Sequence, residues 1–408
     1  MKRNTCLIVD PASTGVHLAP ALRRLGVRVA AGFSNTGAPL DPDIYEQSVE
    51  VGDGSIWPEA LDPARVLRVI AGSDPGVLPA DRLTELAGIP GLNDPALSSA
   101  RRDKWAMGEA LRNAGTPSAR QALLTNRQEV ETWITKNPGA SVAVKPRRGM
   151  ASDQVILCHS DTETRTAADA LLGTIDFFGN DNTTVLVQEF LQGAEFMVDT
   201  VSRDGTHYVT GVWQAWRQRS GKVLPLQADA ADPASSEAQR VVAYCSDVLD
   251  ALGVANGPAH TEIMLVSGRG PVLVELNARF HGSLDLGYAR RVFGIDQVTE
   301  TARSIADTDW RGPNQMLELK SFGRKIYLHS PISGIAARAP DYSALERLGS
   351  FHSIRSRIVP GKEFLATESL STCPATLFLV AESEAEITAD TQKVRELEAA
   401  IYRHIVSD

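Results

Sequence analysis

The apolar positions of the chain fall into short runs and helical stripes that alternate from the start. Cys6-Leu7-Ile8-Val9 reads as a buried strand, and Leu18, Leu22 and Leu25 share one face of a helix that Gly26 closes. A second strand begins over Val27 to Ala31, so the chain opens as a βαβ unit, and the alternation continues to about residue 95. Ser98 to Ala114 reads as a helix stopped by Gly115, Thr116 and Pro117. Val142 to Lys145 and Thr184 to Val187 read as strands, and Phe196 to Val209 as a hairpin turning at Asp204-Gly205. Residues 234–253 repeat apolar side chains at helical spacing through Val241, Val242, Cys245, Val248 and Leu252. Two apolar runs then flank Ser267-Gly268-Arg269-Gly270, which predicts another hairpin, and Leu284 to Val292 reads as helical. From about residue 331, strand signals at 332–337, 351–359 and 376–381 alternate with polar turns. Ser383-Glu384-Ala385-Glu386 is a capping box opening a final helix that carries Val394, Leu397, Ile401 and Ile405.

Length and composition narrow the class. A chain of 408 residues exceeds one ordinary core and predicts two to four packed units. Hydrophobic residues at 43% and charged residues at 22% are those of a soluble globular protein. A formal net charge of −9 argues against a general nucleic-acid or membrane-surface binder, so any anionic ligand needs basic residues gathered locally. The cysteines Cys6, Cys158, Cys245 and Cys373 are scattered without metal-ligand spacing, as buried thiols in a reducing compartment would be. No apolar run reaches the roughly 20 residues of a membrane span, and the first run is too short for a signal peptide. A cytoplasmic location is the expectation.

The hairpin around residue 268 concentrates the chemistry. With a two-residue loop at Gly268-Arg269, opposed residue numbers sum to 537 and Glu262 faces Glu275, their Cβ atoms about 5 Å apart. Period two places Asn277 and Arg279 on the same face. Two adjacent carboxylates repel unless a cation lies between them, and an all-oxygen set with an amide suits Mg²⁺, which commonly arrives with phosphates. Arg279 would meet an anion on the far side of the ion. The plainer alternative is an edge hairpin whose charges lie on its wet face.

Other stretches carry weaker signals. Lys145 ends a strand and precedes Arg147-Arg148-Gly149-Met150-Ala151-Ser152, a loop able to cradle phosphate with backbone N–H groups, the Ser152 hydroxyl and the Lys145 charge. The alternative is a strand that merely ends at a basic turn. Ser13-Thr14-Gly15 before a helix could hold an anion but lacks the Gly-x-Gly-x-x-Gly spacing. The cluster Arg101-Arg102-Asp103-Lys104-Trp105 reads by itself as a solvated helix face.

The order Lys104, Lys145 with its loop, Gln188 to Glu195, then Glu262, Glu275, Asn277 and Arg279 resembles the ATP-grasp fold. Within that fold it is similar to carboxylate–amine ligases, the group of L-amino-acid ligases and dipeptide synthetases. The likeness spans nearly the whole chain, and the pattern Glu-(12 residues)-Glu-x-Asn-x-Arg is its specific part. It implies a multidomain α/β and α+β protein. The expected parts are an N-terminal open α/β domain over 1–95 and a lid and linker region over 96–195, with the lid core at about 118–190. A catalytic subdomain over 196–330 and an α+β extension over 331–408, similar to that of L-amino-acid ligases, complete it. The resemblance also implies roles. Lys104 and Lys145 would hold ATP phosphates, with Ser152 in the phosphate loop. Gln188, Glu189, Phe190 and Leu191 would lie along the adenine, read by the backbone of Glu189 and Leu191, and Glu195 would accept from the ribose. Glu262, Glu275 and Asn277 would bind Mg²⁺ (two ions, with Mn²⁺ able to substitute), and Arg279 would stabilise the transferred phosphoryl group. Arg279, His281, Gly282 and Ser283 would border the substrates, a small-molecule carboxylate and an amine, with no nucleic-acid or membrane partner. Ligases of this fold are often homodimers.

The implied reaction is ATP-dependent amide-bond formation through an acyl phosphate, with release of ADP and phosphate, in specialised-metabolite biosynthesis. Phosphoryl transfer asks mainly for positioning and charge neutralisation, which the set supplies without a nucleophilic side chain. Alternatives are a ligase or carboxylase acting on another carboxylate or a peptide, and an ATP-binding regulator without turnover. Two departures from the pattern stand out. Asp153 occupies the phosphate loop where a second glycine is common, and Gln227 is the nearest residue to a histidine that some relatives carry ahead of the metal hairpin.

Overall fold

The computed structural model describes residues 3–35, 42–149, 154–175, 179, 181–218, 223–403 and 405–406. It divides into two compact units. The first comprises Met1–Ser118, Phe196–Val212 and Asp232–Glu318, and the second Ala119–Glu195, Trp213–Ala231 and Leu319–Asp408.

In the first unit a parallel sheet runs in the order Gln47–Glu50, Arg28–Phe33, Thr5–Val9, Val66–Ala71. The strand Thr5–Val9 is buried along its whole length, as its unbroken apolar run requires of a strand covered on both faces. Leu18 and Leu22 of the helix Leu18–Arg24 pack beneath it, whereas Leu25 lies past the helix end and is half exposed. The unit also holds antiparallel strands in the order Gly270–Asn277, Gly257–Val266, Gly193–Arg203, Thr206–Gln218, of which the last two belong to it only over Phe196–Val212. Asp204 and Gly205, both at positive φ, close the turn that their sequence predicts. The helix Ser236–Ala251 buries Val241, Cys245 and Val248.

The expected helix Ser98–Ala114 starts later. Asp103 accepts from the Trp105 and Ala106 N–H groups and caps a helix Lys104–Asn113, while short 3-10 turns occupy Pro95–Leu97 and Ser99–Arg101. The basic cluster is not a solvated face. Arg101 is 1% exposed, paired to Asp81 at 2.8 Å and donating to the Leu252 carbonyl, and Lys104 is buried as well.

In the second unit an antiparallel sheet runs Gln121–Leu124, Val185–Glu189, Val142–Lys145, Ile156–Cys158. Further strands of this unit follow the order Trp213–Gln218 (the end of a longer strand), Leu224–Ala230, Phe322–Leu328, Ala375–Ala381, Phe351–Ser356, and Gly334–Ile335 pairs separately with Glu363–Phe364. The final helix Glu384–Arg403 opens with the Glu386 N–H on the Ser383 hydroxyl and packs Val394 into the core of this unit; Ile405 lies beyond its end and is buried there too. No helix among the described residues is long and apolar enough to cross a membrane.

Candidate active site

The site in the first unit is built on the hairpin Gly257–Val266 and Gly270–Asn277. Its turn is one residue longer than expected. Val266 pairs with Gly270 across Ser267-Gly268-Arg269, and from there to Ile263 and Leu273 the pairing is one step off the expected register. An irregularity between Glu262 and Ile263, opposite the extra residue Val274, restores it. Glu262 therefore does face Glu275, and His260 faces Asn277. Arg279 is off the strand, in the bend that follows, with its N–H on the Asn277 carbonyl.

The cation that the glutamate pair calls for is present as a side chain. Lys104 at the start of its helix places Nζ 2.9 Å from Glu275 Oε1. Arg279 Nε donates to Asp74 Oδ2 at 2.9 Å, and Arg102 Nη1 to Asp74 Oδ1 at 3.0 Å. Burial alone would raise the Asp74 carboxyl, but Arg279 and then Arg102 outweigh it and hold it below the usual carboxylate range.

Behind the glutamates lies a buried polar cluster of Asp199, His260 and His281. Asp199 Oδ1 accepts from His260 Nδ1 at 2.7 Å and Oδ2 from His281 Nδ1 at 2.9 Å. Burial disfavours the Asp199 charge, yet His281 and His260 lower its pKa far below the usual range. For His260, burial works against protonation, but Asp199 and then Glu262 raise the pKa. His260 Nε2 lies 3.7 Å from Glu262 Oε1.

Beyond Arg279, Ser283 sits in the left-handed region at φ 53°. Its N–H donates to Ser13 Oγ at 2.8 Å, and the Leu284 N–H donates to Thr14 Oγ1 at 3.0 Å. Ser13 itself is at φ 54° and Asp10 at φ 49°, with both Asp10 carboxylate oxygens held by Ser34. Asp10, Ser13 and Ser283 thus bring three positive-φ non-glycine residues into one region. Gly15 and Gly72 let the loop close, because a Cβ on Gly15 would lie 2.0 Å from the Gly72 carbonyl oxygen. The Ser13-Thr14-Gly15 turn thus spends its hydroxyls on the 283–284 backbone. This loop follows the carboxyl end of a parallel strand, where open α/β sheets bind ligands.

In the second unit Lys145 Nζ donates to Gln188 Oε1 at 2.8 Å, and both are buried. The Glu189 N–H is taken by the Arg120 carbonyl, and its carboxylate binds Arg120. Phe190 packs edge-on to His159, with ring centres 5.3 Å apart, and Leu191 is buried. Glu195, 4% exposed, forms a forked pair with Arg217 at 2.7 and 2.8 Å. Gln227 donates to Asp229. Ser152 lies outside the described residues, as do Met150, Ala151 and Asp153 of its loop.

Sequence reasoning left Asp74, Asp199, His260 and Arg217 without roles. Two of them carried a signal. Asp199 is a lone charge inside the apolar run Phe196–Val201, and a charge in a buried strand must be paired. His260 stands two residues before Glu262 and so on its face.

Fold and residues define the class. Residues 101–283 match the family described as ATP-grasp domain, and the chain as a whole is similar to ATP-grasp amino-acid ligases. Among individual proteins it is 29% identical to dapdiamide A synthase of Enterobacter agglomerans, over 98% of this chain and 97% of that one. It is 25% identical to alanine–anticapsin ligase of Bacillus subtilis (strain 168), over 54% of this chain and 50% of that protein. The fold matches the crystal structure of L-amino acid ligase from Bacillus licheniformis with a TM-score of 0.77, at 17% identity, covering 97% of this chain and 98% of that one.

Proposed function

We propose that the chain joins two amino-acid-like molecules through an amide bond, as part of the assembly of a small peptide metabolite. The observation that carries this reading is the opposed pair Glu262 and Glu275 with Asn277 on the same face, Lys104 bonded to Glu275, and Arg279 just past the strand. The likeness to dapdiamide A synthase over nearly the full length of both chains supports it.

The donor set fits Mg²⁺. Three oxygen-bearing side chains share one face, and Glu275 pairs with a cationic side chain, Lys104. Glu262, Glu275 and Asn277 would hold the metal, as one or two ions with Mn²⁺ as a substitute, and it would supply charge neutralisation at the phosphates. Lys104 would lie at phosphate oxygen, and Arg279 would stabilise the phosphoryl group in transfer. The carboxylate of one substrate attacks the γ-phosphate of ATP, and the Pγ–O bond to ADP breaks. The amine of the second attacks the resulting acyl phosphate, loses a proton, and expels phosphate. Arg279, His281, Gly282 and Ser283 border the substrates, and Ser283 leaves room for a bulky amine side chain. Lys145, Ser152 and the stretch Gln188, Glu189, Phe190, Leu191 and Glu195 contact the nucleotide. A homodimeric assembly completes the reading, and sedimentation velocity tests it.

The deciding experiment is a screen of amino-acid pairs for phosphate release, with each product identified by mass. Amide product formed only when a carboxylate and an amine are both supplied supports the reading. ATP hydrolysis indifferent to any pair overturns it.

A further inference from the structure

The cluster of Asp199, His260 and His281 is buried, ionisable and outside the set just described as holding metal and phosphate. Its atoms are close enough to suggest a metal site. The distances argue otherwise. Both Nδ1 atoms lie at hydrogen-bond distance from Asp199, 2.7 and 2.9 Å, so each imidazole already satisfies one carboxylate oxygen. The cluster is a hydrogen-bonded clamp, and what it clamps is informative.

Asp199 lies in the strand Gly193–Arg203, next to the strand Gly257–Val266 that carries His260 and, two residues on, Glu262. His281 lies two residues beyond Arg279 and two before Ser283. Gln297 reinforces the junction, accepting from the His281 N–H at 3.0 Å and donating to the Thr200 and Ala259 carbonyls at 3.0 and 2.8 Å. A single carboxylate therefore grips one histidine beside a metal-binding glutamate and another inside the loop that borders the substrate. With its Nδ1 on Asp199, the His260 ring directs Nε2 toward Glu262, at 3.7 Å.

We propose that Asp199 is a positioning residue for ligation, orienting Glu262 through His260 and the loop Arg279–Ser283 through His281. This rests on the reading of the hairpin given above, and it adds a prediction that reading does not contain. The two arms act on different kinetic parameters. The His260 arm sets how well the site takes up metal, and the His281 arm sets how well the loop receives the amine. Partners that orient metal ligands in this way are typically worth about 10–100-fold in metal affinity or activity.

The test measures Mg²⁺ half-saturation, amine KM, kcat and melting temperature for the whole chain and four variants. His260→Asn keeps a donor for Asp199 and removes the atom facing Glu262. It should raise the Mg²⁺ requirement roughly tenfold and leave amine KM within about twofold. His281→Leu should raise amine KM by a similar factor and leave the Mg²⁺ requirement in place. Asp199→Asn should move both and lower kcat. Glu275→Ala separates the two ideas, since full activity there overturns the metal reading itself. Loss of activity in Glu275→Ala, with both constants unmoved in the three cluster variants, overturns only the clamp. Parallel loss of both constants in all three, tracking a fall in melting temperature, also overturns it by marking a purely structural cluster. Should Asp199→Asn not fold, the imidazole ¹⁵N shifts of the wild-type protein test the contacts directly. Both Nδ1 atoms must be protonated, and finding either in the Nε2–H tautomer overturns the clamp.

Discussion

At the scale of single residues, the site is a set of charges balanced before any ligand binds. Glu275 is paired to Lys104 at 2.9 Å, so Glu275→Ala removes more than a proposed metal ligand. Turnover should be abolished, because electrostatic stabilisation at transferring phosphates is worth about 3 kcal/mol or more per group. The ligand-free protein should also melt lower, because Lys104 loses a charge-assisted hydrogen bond, a contact worth about 1.5–3 kcal/mol. Relief of repulsion from Glu262 acts in the opposite direction but is smaller, since Lys104 already offsets it. Calorimetry without nucleotide checks the stability claim, and an unchanged or raised melting temperature would show that repulsion dominates. Asp74 gives a pH prediction. Its folded pKa lies below the unfolded value of about 3.9, so its contribution to stability is complete above that value and disappears as pH falls through the folded pKa. The stability difference between wild type and Asp74→Asn should therefore be constant from about pH 7 to 5 and narrow below about pH 4. Denaturant titrations of both proteins across that range measure it, and a difference that grows on acidification contradicts the pairing.

At the scale of elements, residue type and spacing carried most of the site, and turn length carried the error. The facing of Glu262 and Glu275 was legible because period two and the flanking Gly268 and Gly270 locate the turn to within a residue. What the sequence could not reveal is that a three-residue turn and an irregularity opposite Val274 cancel, since each alone would rotate one glutamate to the other face. The helix at 98–114 was misplaced at its start because Ser98 and Asp103 are both competent caps, and tertiary pairing of Arg101 with Asp81 decided between them. Pairs distant in sequence, such as Arg279 with Asp74, leave no periodic trace at all. The loop 280–284 yields a prediction at this scale. Its Ser283 is held at φ 53° by Ser13, so the side chain at 283 has a fixed direction. Ser283→Trp should lower kcat/KM for a bulky amine at least about tenfold, the lower edge of the 1–3 kcal/mol that steric exclusion supplies. Glycine or alanine as the amine should be much less affected. Matched kcat/KM values for a large and a small amine decide it, and equal losses for both would place Ser283 outside the pocket.

At the scale of the whole molecule, an acidic chain that is to bind a polyanion needs its cations gathered locally. The net charge is −9, yet Lys104, Arg102 and Arg279 converge around the face that bears the glutamate pair, on Asp74 and Glu275. On the proposed reading, such an arrangement would neutralise the terminal phosphates of a nucleotide and not a general polyanion. It also bears on which bond breaks. Charge develops on the transferred group and on the bridging oxygen that leaves with ADP, and the cationic groups are most useful where that charge appears. The prediction is that the spent nucleotide is ADP with phosphate, in equal amounts with the amide. Chromatography of the quenched reaction decides it, with the amide quantified in the same sample. Accumulation of AMP and pyrophosphate would mean that the carboxylate attacks the α-phosphate, and the acyl-phosphate route would have to be abandoned. ADP in excess of amide would mean that the acyl phosphate escapes to water before the amine arrives. That excess should grow in His281→Leu, where the loop receiving the amine has lost its hold on Asp199.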